Sequence, residues 1–228
     1  MIGIICAMEV ELEGILSLIK NPEKETVSNI EFTKGRVFDK EVVVAKCGIG
    51  KVFAALCAEA MILKYKPDCI INSGVAGGVS RKLDIGDIAV AENVVQHDLD
   101  TTALGDPKGL ISGINIVKIP CHKPLCAKML TAAASCGIPS MLGTLATGDQ
   151  FFAKGSKELE DMRREFNPLT TDMEGASIGQ VCYVNSVPFT VIRALSDRAD
   201  ENADTDYTEN LKKSSENSFK TVIKFLEL

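Results

Sequence analysis

The sequence predicts an α/β fold. It reads as one domain over residues 1–228, a three-layer α/β/α sandwich with a central, mostly parallel, curled mixed sheet flanked by helices. Three observations predict it. Short aliphatic runs recur along the chain at 2–6, 42–45, 69–72, 85–95, 141–147 and 187–192, with helical spacing between them, and strands alternating with helices give a parallel sheet. Several of these runs carry no charge, as expected of strands buried on both faces. Glycines and acids gather where the runs end, and ligands bind at the carboxyl ends of open α/β sheets. The length suits one large domain, and no repeat or Pro/Gly/Ser-rich linker divides it.

The elements follow in order. After the first strand, Ile15, Leu16, Leu18 and Ile19 set a helix that starts near residue 8. Glu9, Glu11 and Glu13 crowd its first turns. Acids there suit the helix dipole, but three exceed what capping requires, and their place at a strand's end also suits a functional acid. Residues 29–46 alternate around Lys34-Gly35 and Asp39-Lys40, which predicts a hairpin with 42–45 as its buried strand. Gly48-Ile49-Gly50-Lys51 leads into a helix over 52–63, with Phe53, Leu56, Ala60 and Leu63 on one face. That turn lacks the third glycine of a dinucleotide fingerprint and the Gly-Lys-Ser/Thr of a P-loop. It reads first as a tight turn needing positive φ.

The strand over 69–72 ends at Ser73-Gly74-Val75-Ala76-Gly77-Gly78, a loop placed to contact a ligand. A long strand over 85–95 fits a sheet that curls, and residues 97–107 form a polar loop of a length that lids a site or reaches a partner subunit. A helix over 124–136 precedes the strand over 141–147, which ends at Gly148-Asp149-Gln150-Phe151-Phe152. That aromatic pair is either core or a stacking surface for a heterocycle. A charged surface helix spans 154–166, a buried helix begins at Gly175, and a final helix over 207–226 covers the sheet with Leu211, Ser218, Val222 and Phe225.

Composition excludes several classes. The net charge is −6 and no Lys/Arg run exists, which argues against a nucleic-acid partner. No stretch of 18 apolar residues predicts a membrane span. The eight cysteines include no CxxC pair and only two histidines accompany them, so no zinc ligand set stands out. Cysteines inside apolar runs read as free thiols of a reducing, cytoplasmic compartment.

Chemistry concentrates in two places. Thr171-Asp172-Met173-Glu174 precedes a helix of small residues, and the strand over 187–192 ends in Arg193, Ser196 and Asp197. Pattern alone leaves two readings open: helix-end and turn residues, or two acids sharing one crevice.

The motifs together resemble the 5′-methylthioadenosine/S-adenosylhomocysteine nucleosidases of the purine nucleoside phosphorylase-like superfamily. The anchors are Gly3-Ile4-Ile5-x-Ala7-Met8-Glu9-x-Glu11, Gly48-Ile49-Gly50-Lys51, Gly74-Val75-Ala76-Gly77-Gly78, Gly148-Asp149-x-Phe151, Asp172-Met173-Glu174 and Arg193-Ala194-Leu195-Ser196-Asp197. The resemblance implies a nucleoside phosphorylase-like fold and hydrolysis of the N-glycosidic bond of a 5′-thio-substituted adenosine, with no metal or cofactor. It implies Asp197 as the general acid at N7 of adenine and Glu11 as the base for water. Glu174 would hold the ribose hydroxyls with Met173 packed on the sugar, Phe151 would stack on the purine and the backbone of Phe152 would read its edge. Met8, Ile49, Ala76, Gly77, Arg193, Ser196 and Tyr207 complete the implied substrate contacts. A homodimer is implied, with Leu104 reaching the partner's site and the 99–107 loop and the helix after Gly50 at the interface.

Asp197 is expected to be the acid with the raised pKa, by closure of the site and by the charges of Glu11 and Glu174. The chain departs from the family pattern at Val75, where relatives often have Ser, and at Leu104 and Tyr207. Two rivals remain beside this reading: a nucleoside phosphorylase on the same fold, or another nucleoside hydrolase with a futalosine-type substrate. A non-catalytic nucleoside-binding protein is a third, of a different class, which retention of Glu11, Glu174 and Asp197 argues against.

Overall fold

The computed structural model describes residues 1–153, 156–200 and 203–228. Its elements are β1 (Ile2–Cys6), α1 (Glu9–Leu16), β2 (Lys20–Val27), β3 (Ile30–Val37), β4 (Lys40–Lys46), α2 (Lys51–Tyr65), β5 (Cys69–Gly78) and β6 (Ile88–Gln96). There follow β7 (Ile119–Pro120), α3 (Lys123–Ser135), β8 (Ser140–Thr147), α4 (Lys157–Phe166), β9 (Thr170–Asp172), α5 (Gly175–Val184), β10 (Phe189–Asp197) and α6 (Ala203–Glu227). Among the described residues these strands form one mixed sheet in the order β10-β6-β8-β9-β5-β1-β4-β3-β2, with β7 beside β6.

The sheet curls until it closes. β10 pairs with β6 on one side and with β5 on the other, so β5, β9, β8, β6 and β10 form a ring and the remaining strands extend from it as a wing. The long central pairings are parallel: β1 with β4 and β5, β5 with β10, and β6 with β8. Their residues explain this. Ile4, Ile5, Val43, Val44, Ile70, Ile71, Val90, Val191 and Ile192 are fully buried between helical layers, each worth about 1.5–3 kcal/mol against exposure. Because β1, β5 and β10 run in parallel, their carboxyl ends open on one side, and the site lies there.

Several boundaries differ from the sequence expectation. The wing holds an additional strand, β2, whose residues are almost all exposed and so show no buried alternation. The Lys34-Gly35 pair lies inside β3, and the turn to β4 is at Phe38-Asp39, where Phe38 has φ 53°. Gly35 serves close approach instead of a turn: a Cβ there would collide with Ile19 and with the carbonyl of Lys20. The glycine stretch 73–78 is not a loop but the second half of β5, and β10 likewise runs on through Arg193 to Asp197. On α2 the buried residues are the small ones, Ala54, Cys57 and Ala58, with Met61 and Ile62. Of the expected apolar face, Phe53, Leu56 and Leu63 are exposed, Leu63 at 66%. The expected start of the charged helix at Lys154 lies outside the described residues, and the helix itself is α4.

Candidate active site

A cavity of about 400 Å³ opens at the carboxyl ends of β1, β5 and β10. Twelve of the fourteen sequence-predicted site residues line it: Met8, Glu11, Ile49, Ala76, Gly77, Phe151, Phe152, Met173, Glu174, Ser196, Asp197 and Tyr207. The two that do not are Arg193, buried behind its wall, and Leu104, which stands 82% exposed on a single 3₁₀ turn over Thr102–Leu104.

Glu11 comes from the first turn of α1 and turns back under the end of β1. Its Oε2 accepts the amides of Ala7 at 3.0 Å and Met8 at 2.9 Å, and its Oε1 accepts the amide of Val75 at 2.9 Å. The strand beside it must carry glycine. A Cβ on Gly74 would stand 2.5 Å from Glu11 Oε1. Burial pushes the Glu11 carboxyl above the ordinary carboxylate range, while Arg193 and the three amides pull it back.

Glu174 sits at the residue before α5, and its Oε1 accepts the amide of Gly50 at 3.0 Å. Burial pushes its pKa from 4.5 to about 7, opposed by Arg193 and assisted by the charge of Asp172. Arg193 is the largest fully buried side chain. Its Nη2 donates to Asn72 Oδ1 at 2.6 Å and lies 3.7 Å from Glu174 Oε2, while its Nη1 donates to the carbonyl of Ile192. Its Nε lies 3.0 Å from Asp172 Oδ2, an ion pair without an aligned hydrogen bond. Arg193 therefore holds two carboxylates and does not reach the cavity, which corrects its assignment as a substrate contact.

Asp172 is a component the sequence left without a role. Its Oδ1 accepts the Thr147 hydroxyl at 2.5 Å and the amides of Glu174 and Gly175 at 3.2 and 3.0 Å. It thus fixes the turn that presents Glu174 and anchors the buried guanidinium. The signal was available in the Asp172-Met173-Glu174 motif, but nothing in sequence links it to Arg193.

Asp197 ends β10. Its Oδ2 accepts the Ser196 hydroxyl at 2.8 Å and its Oδ1 accepts the amide of Ala199 at 2.8 Å. Ala199 has φ 50°, so the chain folds back over the carboxylate. Burial raises the Asp197 pKa, those two donors lower it, and Asp206 and Asp200 raise it further. Two expectations are corrected here. The neighbouring acids that act on Asp197 are Asp206 and Asp200, not Glu11 and Glu174. Nor is Asp197 alone in being raised: Glu11 and Glu174 are raised too, by burial first.

The apolar wall has two parts. The Phe151 ring is half exposed and meets Tyr207 edge-on at 5.6 Å, and the Tyr207 hydroxyl lies 3.3 Å from Met8 Sδ. The Phe152 ring turns inward against His97 and a small cluster with Val95, Leu159 and Phe166. Its ring is core and only its backbone is free to face a ligand. Gln150 and Thr171 also line the cavity, from motifs the sequence marks, and Asp204 and Thr208 line it without being singled out there. The latter two belong to the first turns of α6, which starts at Ala203, four residues before its expected start.

The chain resembles known proteins over nearly its whole length. A family model described as the phosphorylase superfamily matches residues 1–227. A 5′-methylthioadenosine/S-adenosylhomocysteine nucleosidase of Shewanella sediminis is 38% identical over 226 residues, covering 99% of this chain and 98% of the relative. Among solved structures, the nucleosidase of that name from Neisseria meningitidis, in complex with methylthio-immucillin-A, matches with TM-score 0.95 and 32% identity over 99% of this chain and 98% of its own. The native structure of futalosine hydrolase of Helicobacter pylori matches with TM-score 0.93 and 35% identity, over 99% of this chain and 97% of its own.

Proposed function

The chain belongs to the phosphorylase superfamily and, within it, to the 5′-methylthioadenosine/S-adenosylhomocysteine nucleosidases, and from that membership we propose that it hydrolyses the N-glycosidic bond of 5′-thio-substituted adenosines to adenine and a thioribose. The observation that carries the reading is the make-up of the cavity. Four buried carboxylates, Glu11, Asp172, Glu174 and Asp197, line it and, among the described residues, no Lys, Arg or His side chain does. A phosphorylase must hold a dianion, normally with cations. The nearest guanidinium, Arg193, is already engaged by Asp172 and Asn72.

In this reading Asp197 gives its proton to N7 of adenine as the glycosidic bond breaks, so that the bond's electron pair leaves on a neutral base. Burial raises its pKa, so that proton stays available to higher pH than on an exposed carboxyl. Glu11 takes a proton from water as the oxygen attacks the anomeric carbon. Glu174 accepts from the ribose hydroxyls, and the carboxylates stabilise an oxocarbenium-like transition state electrostatically. Phe151 stacks on the purine, the backbone of Phe152 reads its edge, Ala76 and Gly77 lie close to the nucleoside, and Met173 packs on the sugar. Met8, Ile49 and Tyr207 complete the wall.

The test is incubation with methylthioadenosine with and without inorganic phosphate. Release of adenine and free thioribose at equal rates is expected; strict dependence on phosphate would overturn the hydrolase reading. The match to futalosine hydrolase keeps a second substrate in view. Rates on methylthioadenosine, S-adenosylhomocysteine, adenosine and inosine separate the two, and preference for inosine would move the substrate assignment while leaving the reaction class intact.

The reading includes a homodimer of the cytoplasm. Exposed apolar residues Ile49, Val52, Phe53, Leu56 and Leu63 on and before α2, with Leu104 on the 97–107 loop, supply a surface for it. The cytoplasmic part is supported by eight free thiols. Sedimentation at micromolar concentration should give twice the chain mass; a monomer would remove the dimer and with it any role of Leu104 in a partner's site.

A further inference from the structure

Asp149 belongs to a motif singled out in the sequence, yet nothing above uses its carboxylate. In the fold it stands against the amino end of α2. Its Oδ1 accepts the amide of Lys51, the first residue of α2, at 2.8 Å. The residue before it, Gly50, cannot cap that helix with a side chain of its own. It has φ 100°, and a Cβ there would lie 3.1 Å from Asp149 Oδ1. Asp149 thus caps α2 from a segment 98 residues away in sequence, satisfying an amide that a helix otherwise leaves open.

The same turn is held from the other side. The amide of Gly50 donates to Glu174 Oε1 at 3.0 Å, and the carbonyl of Lys51 accepts the Ser177 hydroxyl at 2.6 Å. The Lys51 ammonium lies 2.7 Å from Asp98 Oδ1, and Asp98 Oδ2 accepts the amide of Asp149 at 3.0 Å. A closed circuit therefore runs from Asp149 to the Lys51 backbone, along its side chain to Asp98 and back to Asp149. Two residues beyond Asp149 is Phe151, and one residue before Lys51 is the amide on Glu174.

We propose that Asp149 is a positioning residue for the nucleosidase reaction, setting the α2 amino end so that the Gly50 amide meets Glu174 while the Phe151–Phe152 turn keeps its distance from the sugar carboxylate. The proposal rests on the function given above. Its physical content is that the base wall and the sugar carboxylate are registered to each other through one helix end. Displacement of the Gly50 amide removes a donor that favours ionised Glu174. The other groups facing Glu174 stay in place: Arg193 from β10, Asp172 from β9 and Glu11 from α1. Only the amide's contribution changes.

The experiment compares Asp149→Ala with Asp149→Asn, whose amide oxygen still accepts from Lys51. The alanine variant is expected to lose about 10²-fold in kcat/KM, as for a misplacement of about 1 Å. The acid limb of its pH profile should move to higher pH, because Glu174 then ionises less readily. The asparagine variant should keep the acid limb and most of the rate. Thermal melting establishes that each variant is folded. An alanine variant with unmoved acid limb, or an asparagine variant as impaired as alanine, overturns the proposal. If the wild-type protein leaves methylthioadenosine intact, the functional reading fails separately. A carboxyl-carbon NMR titration of Glu174 in the same variants then still decides the link, since an unaltered titration in Asp149→Ala would sever it.

Discussion

Asp197→Asn is expected to lower kcat by roughly 10²–10⁴-fold while nucleoside affinity stays within a few-fold, the signature of a lost general acid. The substitution is close to isosteric, and its contacts predict a preserved site. An amide oxygen can still accept from Ala199, and the amide group can donate to the Ser196 hydroxyl that now donates to Oδ2. What disappears is the proton. The direction of the pH dependence follows from the cause of the shift. Burial raises the Asp197 pKa, so the acid form persists to higher pH than for an exposed carboxyl, and activity falls as pH rises through that value. Ionised Glu174 is the stronger acceptor for the sugar hydroxyls, so activity falls as pH drops through about 7. The wild-type kcat/KM profile should therefore be bell-shaped, and the variant should lose the plateau height. Single-turnover rates beside calorimetric binding of methylthioadenosine measure both quantities. A variant that turns over at the wild-type rate would remove Asp197 as the acid.

How much of this was visible beforehand follows from what each contact depends on. Runs such as Cys69-Ile70-Ile71 and Val191-Ile192 announce buried parallel strands because burial on both faces leaves only apolar residues. Glu11, Glu174 and Asp197 were legible because acids at the ends of such runs have no packing role. The sequence was misleading where a strand is buried but not apolar. β5 continues through Gly74, Gly77 and Gly78 because Glu11 and Asp197 press against it, so glycine there marks close approach and not a loop. β10 continues through Arg193 because Asp172 and Glu174 wait behind it. A charge inside a strand is intelligible only with its partners, which lie about twenty residues away in sequence. β2 was silent for the opposite reason: with neither face buried, its residues carry no period. On α2, Phe53, Leu56 and Leu63 misled because exposed apolar residues at helical spacing look, in sequence, like a core face, while the buried face is made of the small Ala54, Cys57 and Ala58.

Glu174→Gln should move stability and activity in opposite directions, and pH should control how far. Burial holds the Glu174 pKa at about 7, well above the ordinary 4.5 of an unfolded chain. A carboxyl raised in the folded state contributes stability that is fully present below about pH 4.5 and is lost as pH rises through 7. At pH 8 that loss is about 3 kcal/mol. Glutamine stays neutral throughout, so it mimics the protonated acid and avoids the loss. Its oxygen still accepts the Gly50 amide, and Arg193 keeps Asp172 at 3.0 Å and Asn72 at 2.6 Å, so no buried charge is orphaned. The variant should melt roughly 6–12 °C higher than wild type at pH 8, with little difference at pH 4.5, where both side chains are neutral. Activity should respond the other way. A hydrogen bond from a sugar hydroxyl to a charged acceptor contributes about 1.5–3 kcal/mol, so kcat/KM at pH 8 should fall by roughly 10- to 100-fold. Melting curves at the two pH values, with kcat/KM at the higher one, test both halves together. If the variant melts below wild type at pH 8, Glu174 is not held against its desolvation. The carboxylate then serves the fold, and its assignment to the sugar loses its physical basis.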